Sequence, residues 1–467
     1  MHTPHKLNPR VGRRLQTAAL FAVLLPTLAI GQTVPAALTA KQNYENRVAT
    51  VRGIPGLVAF WDFVQREDGP VGTGKFVAHT AQEKQFRYSL EPRNISLDFW
   101  KDGPEATLSD FPLLNQGPFG QAVQFSKPKE VNDLPVLVVP RSVLHNTPLD
   151  IKGPGKSVSM VVWMAYQGGD HAIAGIWHEG TDTKPNGIPP VVKVRGQRQF
   201  ALFAGLAANP GGSTVHISEN GLASFGDKYA RHLATAPEKM RVVKADAAGL
   251  SSFENAWSCV GFVFDNRNGT LTSYLDGVAT ESWVENLTSN RFYAPTERAW
   301  KQGRLAKLGA DASDRDPLFP TDQYYTPPET TPLSEELVSE TADERTIVRT
   351  YEFTKVKLTF QKDSSGAFQK EVGASLIALK VNPYWFGHDI YSPASETEGG
   401  PFSIGRVIHS NRHSTLLAQI GGVAVYDQPL TPEQMRRLAD ITNPKSDASA
   451  TPVMLSFPDV TGVTKTP

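Results

Sequence analysis

From Gly56 onward the chain alternates with a period of two. Leu57, Ala59, Trp61 and Phe63 fall on one side and Val58, Phe60 and Asp62 on the other, so both sides are largely apolar. A strand covered on both faces reads this way. The same pattern predicts strands at 122–125, 136–139, 158–165, 172–177, 191–194, 200–204, 258–265 and 271–275, then at 347–353, 356–360, 376–381, 402–406 and 418–426. Asn268-Gly269 and Asp276-Gly277 supply residues that tolerate positive φ between runs, and Asp363-Ser364-Ser365-Gly366 separates two others. Helical signals are few. The capping boxes Thr39-Ala40-Lys41-Gln42 and Thr431-Pro432-Glu433-Gln434 predict short helices running to Val48 and Ala439. Many short strands punctuated by Gly and Pro predict an all-β sandwich or jelly roll.

Three stretches depart from this rhythm. Residues 2–14 are basic (Lys6, Arg10, Arg13, Arg14), 15–30 are mostly apolar with Pro26 inside, and Ala29-Ile30-Gly31 ends on small residues. That order predicts a secretory leader over 1–31, and the apolar run is short for a membrane span. Residues 311–345 hold ten acids, two basic residues and five prolines, and are expected as an exposed acidic loop. Residues 443–467, rich in Ser, Thr, Pro and Ala, are expected as a disordered tail. The expected organisation is thus leader 1–31, helix and linker 32–55, one sandwich domain 56–442 and the tail.

Composition agrees with a single large core: 40% of residues are apolar and 9% aromatic. Lys and Arg total 47 against 47 Asp and Glu, and no long basic run exists, which argues against sequence-independent nucleic-acid binding. Without the leader's four cations the remainder has 43 basic and 47 acidic residues, a net charge of −4. No other run reaches about 18 apolar residues, so no membrane span is expected after leader removal. A single cysteine, Cys259, excludes an internal disulfide and a cysteine-rich zinc site.

Several segments, in order, resemble the concanavalin A-like, laminin G-type jelly-roll family. They are Gly56–Phe63, Gly117-Pro118-Phe119-Gly120-Gln121-Ala122-Val123-Gln124-Phe125, and Ser157–Met164. Trp257–Asp265 follows with Tyr274-Leu275-Asp276-Gly277, then Phe402-Ser403-Ile404-Gly405-Arg406 and Gly421–Tyr426 with Gln428-Pro429-Leu430-Thr431. The resemblance covers much of 56–442 and implies a concanavalin A-like jelly-roll β-sandwich with short peripheral helices. About 125 residues separate Gly277 from Phe402, more than the family needs, so 285–400 reads as an insertion.

The family resemblance says little about activity, so the residues must be weighed directly. Glucanases of this shape need two carboxylates about 5–10 Å apart, and family 16 members carry a Glu-x-Asp-x-x-Glu strand that is absent here. Glu340-Thr341-Ala342-Asp343-Glu344 reads instead as a solvated charged loop. His409 and His413 lack the Glu of a zinc helix. Asp311, Asp314 and Asp316 give clustered oxygen donors compatible with calcium, which the family resemblance also implies at a loop edge. No Gly-x-Ser-x-Gly elbow or phosphate-binding glycine loop is present.

Sugar binding fits better. Asn382-Pro383-Tyr384-Trp385-Phe386-Gly387-His388-Asp389 sets aromatics beside polar groups between Pro and Gly, and Trp177-His178 ends a strand before a polar loop. Tyr384, Trp385, His388, Asp389, Trp177 and His178 are therefore the candidate ligand-binding residues, with no catalytic residue assigned. The expectation is an exported, non-catalytic carbohydrate-binding module of the envelope or secretome whose partner is a polysaccharide or glycan. A structural or adhesion protein binding an envelope protein, and a divergent polysaccharide hydrolase or lyase, remain the alternatives.

Overall fold

The computed structural model describes residues 40–70, 72–81, 85–169, 171–178, 197–205, 209–221, 232–244, 257–290, 292–309, 315–406 and 416–442. The stretch 1–31 expected as a leader, the strand expected at 191–194, the pair His409 and His413, Asp311 and Asp314, and the stretch 443–467 expected as a tail lie outside them.

The chain forms an all-β sandwich. One eight-stranded sheet runs in the order Tyr384–Trp385, Thr270–Leu275, Ser258–Asp265, Val158–Gly169, Leu416–Tyr426, Ala122–Phe125 and Leu113–Leu114, with Leu57–Trp61 also paired to Leu416–Tyr426. The second runs Leu233–Lys239, Gly212–Ile217, Gln197–Phe203, Ala172–His178, Phe402–Ile404, Pro135–Val139, Ser89–Asn94 and Phe76–Val77. Apolar side chains of both sheets meet in one core. Trp61 stacks on Phe402 at 5.2 Å between centroids, and Phe200 meets Phe262 at 6.3 Å. Side chains that alternate apolar on both faces need a second cover, and the first sheet has one. Helices Ala40–Arg52 and Pro432–Ala439 contribute Val48, Val51, Met435 and Leu438, joined by Ile54 just past the first helix, to a cluster with Phe60, Trp163, Cys259 and Tyr426.

The capping box at Thr431 forms as its spacing predicts: Thr431 Oγ1 accepts from Gln434 N at 3.2 Å, and Gln434 returns a bond to Thr431 N at 2.8 Å. Thr431→Ala should lower the unfolding free energy by about 1 kcal/mol, read as a reduced urea midpoint at unchanged slope.

Residues beyond Gly277 build a third sheet of five strands, ordered Ser282–Glu285, Phe368–Asn382, Thr354–Lys362, Glu344–Thr350 and Ser334–Glu340. The acidic stretch expected as a loop is thus partly a strand. Ser334–Glu340 is exposed at every residue, and its order comes from the ladder with Glu344–Thr350, not from burial. Earlier in the same stretch Phe319, Gln323 and Tyr325 are buried. Phe319 stacks on Tyr324 and Tyr325 packs on Tyr384, so these few aromatics suffice to dock an otherwise polar segment. Among the described residues no helix is long and apolar enough to cross a membrane.

Candidate functional site

The site starts from a hairpin turn. Strands Ser258–Asp265 and Thr270–Leu275 are joined through Asn266–Gly269, where Gly269 takes φ 63. Asp265 steadies the turn by accepting from Arg267 N at 3.1 Å and Asn268 Nδ2 at 2.6 Å. Residues 382–391 lie across it. Buried Asn382 anchors the segment, accepting from Ser273 N at 2.8 Å and donating to the carbonyls of Ser273 and Thr280 at 3.0 Å each. Tyr384 and Trp385 then pair with Leu271 and Thr270, and Phe386 N donates to Gly269 O at 2.6 Å. Gly387 takes φ 69, and a Cβ there would fall 2.1 Å from the Trp385 indole. Only glycine leaves that space for the ring.

This ladder sorts the side chains by depth. Tyr384 and Phe386 are buried in the core, whereas Trp385 is half-buried, its edge against Tyr325 at 5.5 Å and 72°. His388 is half-buried against Phe386 at 5.5 Å, and Asp389 is exposed. Both hydrogen bonds to Asp389 end on Oδ1, from Gly155 N at 3.1 Å and Asn266 Nδ2 at 3.0 Å. Four of the six expected residues are therefore brought together on one turn.

Beneath them lies a buried polar group that sequence reasoning did not find. His232 Nε2 is 3.3 Å from Glu219 Oε1, Gln323 Nε2 donates to the same oxygen, and the Tyr384 hydroxyl is 3.5 Å from His232 Nδ1. His232 also meets His388 at 5.4 Å between ring centroids. Burial favours the neutral Glu219 acid, but the electrostatic influence of the neighbouring His232 outweighs this and holds the carboxyl below its ordinary value. His388 is lowered, first by burial and then by the neighbouring His232, which favours the neutral ring at neutral pH. The sequence offers no signal for it, because the strand Gly212–Ile217 that leads to Glu219 does not read as a β-run.

Trp177 and His178 lie elsewhere. Both are buried at the end of the strand Ala172–His178, with Trp177 2% exposed. The indole tilts over His216 at 4.5 Å and meets Phe203 edge-on at 5.8 Å, in a small cluster with Ala172 and Ala201 that is separate from the core holding Tyr384 and Phe386. Burial, followed by the charge of Arg198, pushes His178 down to about 3. Among the described residues no group of three or more His, Cys, Asp or Glu is placed to hold a metal ion. Asp316 Oδ1 accepts from Leu318 N at 2.9 Å.

No family model matches this chain, and no curated protein does. Solved structures similar to it include a botulinum neurotoxin type C chain, from work on its interaction with two ganglioside molecules, at 9% identity and TM-score 0.31, covering 84% of this chain and 52% of that one. A botulinum neurotoxin serotype D ligand binding domain in complex with N-acetylneuraminic acid gives 7% identity and TM-score 0.32, over 84% and 52%. NanB sialidase from Streptococcus pneumoniae gives 10% identity and TM-score 0.29, over 68% and 27%. This chain spans about half the length of the neurotoxin chains.

Proposed function

We propose that this chain is an exported, non-catalytic glycan-binding module built on a concanavalin A-like, laminin G-type jelly roll. One observation carries the binding reading: half-exposed Trp385 and exposed Asp389 are both fixed to the Asn266–Gly269 turn. An indole offers a flat apolar surface to the C–H face of a pyranose, and a carboxylate accepts from sugar hydroxyls. The turn is braced by the bonds Asp265 accepts from Arg267 N and Asn268 Nδ2, so little order has to be imposed on binding. His388 and the Glu219–His232 pair support the platform from below. The jelly-roll reading is supported by where the resembling segments fall, since they supply neighbouring central strands of both sheets, including Val158–Gly169, Ser258–Asp265, Phe402–Ile404 and Leu416–Tyr426. The leader at 1–31 is what supports export.

The test is a glycan array, followed by titration of any bound glycan against Trp385→Ala and Asp389→Asn. Each should weaken binding about tenfold, near 1.4 kcal/mol, with an unchanged far-ultraviolet circular dichroism spectrum. Binding that survives both substitutions places the site elsewhere, and a chain that binds no glycan removes the reading.

A further inference from the structure

The outer strand of the five-stranded sheet is ordered without being covered. Ser334–Glu340 pairs with Glu344–Thr350 on one side only, and every residue from 331 to 344 is exposed. Its apolar residues are bare: Leu333 is 71% exposed, Leu337 57% and Val338 53%. Leu337 stands opposite Ile347, which stands opposite Leu358, and those two are 3% and 1% exposed. An apolar row therefore crosses the sheet, well buried until it reaches the edge, where it stops in water.

The backbone of this edge is free in a regular way. Leu333 N donates to Thr350 O at 2.7 Å and Thr341 N to Glu344 O at 2.8 Å, so these amides face the neighbouring strand. In the adjoining strand Thr350, Val348 and Thr346 face this edge, and Arg349, Ile347 and Arg345 face Thr354–Lys362, so the opposed register leaves the amides of Glu335, Leu337 and Glu340 facing outward. Such an edge templates an added strand.

Charge selects among partners. The strand carries Glu335, Glu336 and Glu340 and no cation, and Asp343 in the turn and Glu344 at the start of the next strand follow. Arg349 answers Glu335 at 2.9 Å and Arg345 answers Glu340 at 2.6 Å from the adjoining strand, leaving the edge acidic on balance. A second copy added antiparallel about Val338 would set Glu336 opposite Glu340 twice, and like charges facing across strands destabilise pairing. A basic strand meets the opposite situation.

We propose that Ser334–Glu340 is a docking edge for an extended, basic, β-branched segment of a partner protein, which adds to the sheet as a sixth strand. Main-chain hydrogen bonds supply the affinity, Leu333 and Leu337 meet its apolar side chains, and the glutamates set its charge. The edge belongs to a different sheet from the Trp385 turn, so the two readings stand or fall separately.

Fluorescence anisotropy of the mature chain with a labelled, capped Lys-Val-Lys-Val-Thr-Lys-Val peptide tests this. Saturable binding is expected, weakened by added salt, with none for the same peptide carrying Glu for each Lys. Glu335→Pro removes one outward amide without removing a bond of the existing ladder and should weaken binding at least about tenfold, whereas Glu335→Gln should cost only a few-fold. Hydrogen exchange supplies a second readout: the basic peptide should slow exchange at Glu335 and Leu337. The proposal is overturned by absent binding, by equal binding to wild type and Glu335→Pro, or by slowed exchange confined to other strands. Self-association in sedimentation that Glu335→Pro abolishes would assign the edge to a second copy and likewise overturn it.

Discussion

Asp62→Ala should lower the unfolding free energy by about 3–5 kcal/mol, seen as a large drop in the urea midpoint. Asp62 is fully buried and accepts four hydrogen bonds: the Tyr44 hydroxyl and His79 Nε2 at 2.7 Å on Oδ2, Val64 N at 2.8 Å and Gln65 N at 3.0 Å on Oδ1. Alanine would leave these donors buried without their acceptor. The last two bonds also brace Phe63, which holds φ 59, and the first ties the helix Ala40–Arg52 to the sheet. Burial alone would raise this carboxyl, but the hydrogen bond and charge of His79, then the bond from Tyr44, outweigh it and hold the group below its ordinary 3.8. A group depressed in the folded state stabilises fully above its unfolded value, and that contribution is lost as pH falls through the folded value. From about pH 4 downward, wild type should therefore lose stability more steeply than Asp62→Asn. Parallel pH profiles of the two would show the carboxylate to be idle.

Gly175→Ala should cost about 3 kcal/mol or more, for a steric reason. Gly175 sits mid-strand between Ser403 and Ala201 with φ 146, a backbone that side chains rarely adopt. A Cβ would lie 2.4 Å from Phe200 O and 2.6 Å from Ala201 Cα. Both neighbours are backbone within a paired sheet, so neither can turn aside as a side chain could. The variant should unfold at markedly lower urea or fail to accumulate in soluble form. A midpoint equal to wild type would mean that the strands separate freely at this point.

Legibility varied with burial. Strands such as Ser258–Asp265 and Val158–Gly169 were readable because both faces are covered and their side chains are apolar throughout. Gly212–Ile217 was missed, although all six residues are buried, because its Ser213 and Thr214 read as turn residues. In the fold their hydroxyls are satisfied by Ser273 and Thr235, at 3.0 and 2.7 Å, which only assembled sheets can provide. Ser89–Asn94 carries Pro92 and charges, yet pairs near the sheet edge where proline is tolerated. Ser334–Glu340 reads as loop because charge dominates its composition, while its ladder is closed by the hairpin partner Glu344–Thr350, itself held by Thr354–Lys362.

The candidate site divides in the same way. Tyr384, Trp385, His388 and Asp389 stand within six residues, so their chemistry could be seen locally. Which of them would be buried could not, since depth depends on pairing with Thr270 and Leu271 more than a hundred residues away. Trp177 and Trp385 look alike as sequence, each an indole near a histidine, but neighbouring strands bury the first and a glycine turn leaves the second half-open.

By itself the sequence determined the all-β class, the positions of the central strands, the capped C-terminal helix and the cluster of aromatics at the Asn382–Asp389 segment. These follow from local rules, the two-residue period and the needs of capping and turn residues. Tertiary structure alone decided the third sheet, the buried Glu219–His232 pair beneath His388 and the bare acidic edge at Ser334–Glu340. Each is set by which backbone supplies hydrogen bonds and which side chains exclude water, and neither composition nor the two-residue period encodes that.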